Sequence, residues 1–255
     1  MFELYERGLY VQAWKLGESL GPPSTWKGTH ARVLAGRLAG NLGARRTANA
    51  LHLSAWRRDP RDPEALYYAA FALFERRGPL AAWDVLRRAG EPVDAPPRAR
   101  ADLLALRAEL AATLRDFDTA DALLSRAEDV GGDLLWTAVV RARVLELEDR
   151  YPEALEAARR ALARRPDYRP AVQAAAHLLQ LLDRDREALD LLRDACARLE
   201  SGPLASQLAA LETELGLHAD ARRTIERVAE LSPLVEKELA RWLAARHADT
   251  AYLCG

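Results

Sequence analysis

At 255 residues, with 49% hydrophobic and 29% charged side chains, the chain is long enough for one large or two ordinary domains around a sizeable core. Its 13 prolines and 14 glycines are too few for a disordered or low-complexity chain. A formal net charge of −1 supplies no overall field toward nucleic acid or an anionic membrane, two cysteines cannot build a disulfide framework, and no apolar run approaches the roughly 18–20 residues of a membrane span.

The start, MFELYERGLY, has no basic stretch ahead of an apolar core, so no signal peptide is expected and the cytoplasm is the expected compartment. Only Lys15, Lys27 and Lys237 are lysines among 37 basic residues, an arginine skew that implies a GC-rich, bacterial coding sequence.

In chain order, MFELYERG supplies the last turns of a helix, and YVQAWKLGESL (10–20) a second one. Helical pairs then follow at a near-constant interval, apolar residues recurring at helical spacing in each, as in LLALRAELAATL (103–114) and ADALLSRA (120–127). Short breakers separate the helices of a pair: NLGA (41–44), RRGP (76–79), RDFD (115–118) and LGLHAD (215–220). Pro60, Gly131–Gly132, Pro166 and Pro233 close second helices, since neither residue type continues a helix comfortably. The segment GEPVDAPPRAR (90–100) is about four residues longer than its counterparts, so a kink or sub-boundary is expected near 90–100. The end, VEKELARWLAARHADTAYLCG, reads as another first helix with Ala248 in a small-residue position and Gly255 in the turn. Residues 234–255 therefore form an incomplete repeat, and the chain is expected to be the N-terminal piece of a longer polypeptide.

Three columns of small residues run through these pairs. The second helices carry Ala13, Ala48, Ala82, Ala120, Ala154, Ala188 and Ala221, at intervals of 35, 34, 38, 34, 34 and 33. A later column holds Ala55, Ala89, Ala127, Ala161, Ala195 and Val228, and the first helices carry Gly36, Ala70, Ala108, Ala142, Ala176 and Ala209. Antiparallel helices approach to about 8–10 Å only where the crossing residues are small; Leu104, Leu124, Leu145 and Leu192 are then expected to fill the space between pairs. One pair cannot bury its apolar face, so neighbours must stack.

These columns, the prolines after second helices, and the aromatics Tyr10, Phe117 and Tyr151 ahead of second helices resemble the tetratricopeptide repeat. The resemblance covers nearly the whole chain and implies an all-α superhelix, a solenoid of stacked antiparallel helix pairs. It implies about six full repeats plus a partial one at each end, forming one unit over 1–255. The family's first-helix tryptophan is absent from its usual column.

The resemblance also implies a function: a non-enzymatic scaffold that binds protein or peptide along the concave face lined by first helices. Carried onto this sequence, that face holds Arg37, Asn41, Tyr67, Phe71, Phe74, Trp136, Arg143, Glu146, Gln173, His177 and Gln180. Tyr67, Phe71 and Phe74 form one helical stripe, with Tyr67 and Phe71 expected exposed and Arg37 and Arg143 flanking them; aromatics beside arginine commonly anchor interfaces. Positions that in some members clamp a terminal carboxylate hold Val33, Arg37, Tyr68, Asp102 and Leu106, so that binding mode is not expected. Asp102, Glu109 and Glu146 on the same face argue against a nucleic-acid partner. Self-association through the uncapped C-terminal end is a further expectation. The ending AYLCG resembles arrays that precede bacterial cysteine-peptidase domains, which gives the alternative of a substrate-docking or stabilising region of a larger enzyme.

Catalytic chemistry is not evident. His30, His52, His177, His218 and His247 show no metal-ligand spacing, and His52 is expected to be a satisfied core residue. Cys196 reads as a small hydrophobe and Cys254 as exposed. GNLGARRT (40–47) lacks the Gly-Lys-Ser/Thr ending of a phosphate loop. No carboxylate pair suggests an acid–base couple, and the arginine doublets 57–58, 87–88, 159–160 and 164–165 suit the negative ends of second helices. No catalytic residue, metal or cofactor is expected.

Overall fold

In a computed structural model, residues 1–131 and 135–254 are described; the expectations for Gly132 and Gly255, and for the side chains of Tyr252, Leu253 and Cys254, lie outside the described residues. Fifteen α-helices occur among them: α1 (Phe2–Glu6), α2 (Tyr10–Glu18), α3 (Thr29–Asn41), α4 (Arg45–Arg58), α5 (Pro63–Arg77), α6 (Pro79–Ala89), α7 (Pro97–Thr113), α8 (Phe117–Gly131), α9 (Leu135–Leu147), α10 (Tyr151–Arg164), α11 (Arg169–Leu181), α12 (Asp185–Arg198), α13 (Gly202–Glu214), α14 (His218–Glu230) and α15 (Lys237–Cys254). Extended pairing among the described residues is limited to one bridge, Leu9 with Glu200. No described helix is long and apolar enough to cross a membrane.

Six complete pairs, α3–α4 to α13–α14, stand between the short α1–α2 pair and α15. Every turn inside a pair passes through one left-handed residue: Gly8, Gly43, Gly78, Arg115, Asp149, Asp183 and Gly216. That conformation ends the first helix and frees its last carbonyls for the turn. Arg115 is stabilised there by donating to the Leu147 carbonyl of the next repeat. Prolines open helices as well as closing them, with Pro63, Pro79, Pro97, Pro152, Pro170 and Pro203 in first turns, where no N–H is missed.

The small columns are buried as crossing points. Ala70, Ala108, Ala142, Ala176 and Ala209 on first helices are fully buried, as are Ala82, Ala120, Ala154, Ala188 and Ala221 on second helices. Facing the first-helix column one turn further along each second helix stand His52, Leu86, Leu124, Ala158, Leu192 and Ile225, all buried. Two expectations need correction. Ala89 is exposed, because α6 stops there and Gly90 turns the chain into the longer connection; Arg107 takes the carbonyls of Leu86 and Gly90 at 2.7 Å. Ala248 is exposed too, since α15 packs through Leu239, Trp242 and Leu243 instead.

Successive first helices touch one another from α3 through α13, whereas successive second helices make no comparable contact. Crowding on one rank and splaying on the other bends the array, with first helices inside. The two ends meet. The Gly8 carbonyl accepts from the Glu200 N–H at 3.0 Å, and the Leu42 carbonyl from the Leu234 N–H at 3.1 Å. Val11 of α2 packs on Ala205, Val228 and Leu231. Glu236 caps α4 from 190 residues away, accepting from the backbone of Arg46 at 2.8 Å and of Thr47 at 3.0 Å. Burial works against that carboxylate, yet these donors hold it below its ordinary pKa.

Candidate functional site

The inner face is stitched by polar contacts that step from one first helix to the next. His30 of α3 meets Glu64 of α5 at 2.7 Å, Arg143 of α9 meets Glu109 of α7 at 2.8 Å, and His177 of α11 meets Glu146 of α9 at 3.0 Å. Gln180 reaches Glu214 of α13 at 3.3 Å, and Gln207 donates to the Gln173 carbonyl at 3.1 Å. Arg143 also lies over the Trp136 ring, 5.1 Å from its centroid. The arginines expected to offer free positive charge are thus already paired, and a neutralised guanidinium steers an anion less.

Tyr67 and Phe71 of the α5 stripe are less exposed than expected. Tyr67, Phe71 and Phe74 are half-buried and pack with Leu66, Leu103, Leu106 and Leu110 between α5 and α7. Tyr67 stands edge-on to Tyr68 at 5.0 Å and to Trp136 at 6.5 Å. The reason is that α5 and α7 lie in direct contact, so their facing side chains pack together instead of lining open space.

Arg37 sits at the centre of this crowded half. Its guanidinium lies 4.3 Å from the Tyr5 ring centroid and 5.6 Å from that of Tyr68, with Glu6 at 3.5 Å and Glu64 at 3.7 Å. Asn41 donates to the Arg37 carbonyl at 2.8 Å and to the Tyr5 hydroxyl at 3.4 Å. The occupant here is the chain's own N-terminus, which sequence reasoning did not place: α1 lays Tyr5 and Glu6 on α3, and Arg165 reaches Glu6 from the α10–α11 junction. The other half is more open. His177 is 50% exposed and Glu146 31%, and their hydrogen bond raises the imidazole pKa. Among the described residues no three metal-ligating side chains converge.

Solved structures decide the architecture. A tetratricopeptide-repeat protein of Parabacteroides merdae is similar over 98% of this chain and 95% of its own, with a TM-score of 0.59 at 13% identity. The fold is a tetratricopeptide-repeat superhelix. Yeast Tom70 gives a TM-score of 0.59 at 16% identity over 88% of this chain and 47% of its own. Human IFIT1, solved as a dimer with PPP-AAAA, gives 0.56 at 14% identity over 84% of this chain and 53% of its own. No family model matches the chain, and no curated protein is similar to it in sequence.

Within this tetratricopeptide-repeat frame, Asp102 faces the crowded half from α7. Burial pushes its carboxyl up to about 6, although Arg98 and Arg37 pull it down, with Glu64 adding to the rise. Tyr67, Tyr68 and Tyr168 lie within electrostatic reach, and burial pushes Tyr168 up to about 12. Since Asp102 holds its proton more tightly folded than unfolded, it favours the fold fully below about pH 4, and that contribution is lost as pH rises through about 6. Asp102→Asn is expected to raise stability by about 2 kcal/mol at pH 8 and by far less at pH 4. Urea denaturation at the two pH values checks this; an equal change at both would reject it.

Proposed function

We propose that the chain, acting as one unit over 1–255, is a non-enzymatic scaffold that holds a protein or peptide on the inner face of its superhelix. The contact residues in this reading are Arg37, Asn41, Tyr67, Phe71, Phe74, Trp136, Arg143, Glu146, Gln173, His177 and Gln180. Fold by itself does not give function, so the reading leans on one observation: polar side chains recur on successive inner helices, with His177 and Glu146 partly exposed among them. Such a rank offers donors and acceptors at one-repeat spacing to a chain lying across the first helices, and the Arg143–Trp136 pair supplies an aromatic–arginine anchor beside it.

A peptide array probed with the full-length chain tests the reading. Captured sequences are expected to lose at least about tenfold in affinity, about 1.4 kcal/mol, when His177→Ala and Arg143→Ala are combined. Capture undiminished by that pair would reject the inner face as the docking surface.

A further inference from the structure

The contacts of α1 are those of a ligand. A helix of five residues cannot hold itself in water, so α1 stays helical only because the array holds it. Tyr5 packs in the core against Tyr10, their ring centroids 5.0 Å apart. Around it the contacts are polar and selective: the Tyr5 ring under the Arg37 guanidinium, the Tyr5 hydroxyl on Asn41, and the Glu6 carboxylate between Arg37 at 3.5 Å and Arg165 at 3.7 Å. Glu6 and Arg165 are each 33% exposed, and contacts open to water exchange readily. Phe2 and Glu3 on the same helix face solvent. The next helix shares that core but is held by more of it: Tyr10, Ala13 and Gly17 of α2 are buried, against Tyr5 alone on α1, and Tyr5, Tyr10 and Ala13 lie in one cluster with Leu38, Leu42 and Ala48. Between the two lies Gly8, left-handed and against the Leu199 side chain, a natural pivot.

We propose that residues 2–7 are a strap that occupies the inner face in place of a partner, pivoting at Gly8, and that the partner segment they stand in for is an acidic peptide carrying a tyrosine. This rests on the inner-face reading above and adds the chemistry of its ligand. Arg37, Arg165 and Asn41 read an aromatic ring followed by a carboxylate, whether the strap or the partner supplies them.

The probe is a fluorescent peptide of residues 1–9, MFELYERGL, followed by anisotropy with the full-length chain. Glu6→Arg in the protein sets like charges against Arg37 and Arg165 and should release the strap; Tyr5→Ala is the second release variant should the first not fold. The peptide is expected to bind a released chain at least tenfold more tightly than the wild type. A control peptide carrying Tyr5→Ala and Glu6→Gln should bind at least tenfold more weakly. Binding to neither chain, or equally to both, overturns the strap. If the array capture still depends on His177 and Arg143 in that case, the scaffold reading survives alone. If the peptide binds the released chain while array capture ignores those residues, the strap stands and the open half falls.

Discussion

Gly36→Ala is expected to destabilise the chain by about 3 kcal/mol, and adding His52→Leu should restore it to at least wild-type stability. An added Cβ at Gly36 would lie 2.3 Å from the His52 ring. That ring has little room to yield, being buried and packed at a tilt against the Tyr68 ring, 4.7 Å between centroids. The other repeats show why the double change should work. Ala70 with Leu86, Ala108 with Leu124 and Ala176 with Leu192 hold corresponding positions and are buried in shared clusters. Glycine is required at 36 because histidine stands at 52.

The same replacement removes an acid liability. Neither His52 ring nitrogen has a partner of good hydrogen-bond geometry, so the histidine is buried but not satisfied. Burial lowers its pKa to about 4, the Val33 carbonyl opposing and Arg37 reinforcing the shift. A base depressed in the folded state favours the fold above its unfolded pKa of about 6.5, and that advantage is lost as pH falls toward about 4. Guanidinium denaturation of the two single variants and the double at pH 7 and pH 5 checks both claims. A single Gly36→Ala within about 0.5 kcal/mol of wild type would refute the clash.

The second large effect is expected at Arg193, where Arg193→Met should cost about 3–4 kcal/mol. Glu212 on α13 is 3% exposed, and its carboxylate accepts from Arg193 of α12 at 3.0 Å and from Thr224 of α14 at 2.7 Å. Three helices therefore share one carboxylate. Arg193 itself is 41% exposed, but removing it leaves the Glu212 charge buried with a single neutral donor, and the unpaired buried carboxylate is the source of the cost. Replacing both, Arg193→Met with Glu212→Leu, should recover most of the loss, because the charge and its desolvation disappear together. Thermal and urea melts of the three variants decide the matter; additive losses in the double variant would show that the pair is not coupled.

Much of the architecture is legible in the amino-acid sequence. Small residues at a near-constant interval dictate where helices cross, and the apolar period dictates which face each helix buries; both are local, repeated signals, so one repeat checks the next. Where repetition breaks, reading fails. Ala89 keeps its place in the column by number but not in space, because α6 ends at it. Ala248 fails because α15 packs through Leu243, which stands 34 residues after Ala209. Cys196 is half-buried rather than fully inside, and burial pushes its thiol up to about 12. The left-handed turn residue was invisible at Arg115, Asp149 and Asp183, since those residue types do not announce that conformation as glycine does.

The inner face divides in the same way. Which residues sit on first helices follows from period alone, and Arg37, Asn41, Arg143, Glu146, His177 and Gln180 do contact the neighbouring inner elements. Which of them are already engaged does not follow. By itself the sequence determined the helix pairs, their number and their packing faces, because each depends on residues within one or two turns. Tertiary structure alone decided that the ends meet, that Glu236 caps α4 and that Tyr5 and Glu6 lie on Arg37. Such contacts join segments as much as 190 residues apart, brought together by small rotations summed over every repeat, and a sum of that kind leaves no periodic trace in the chain.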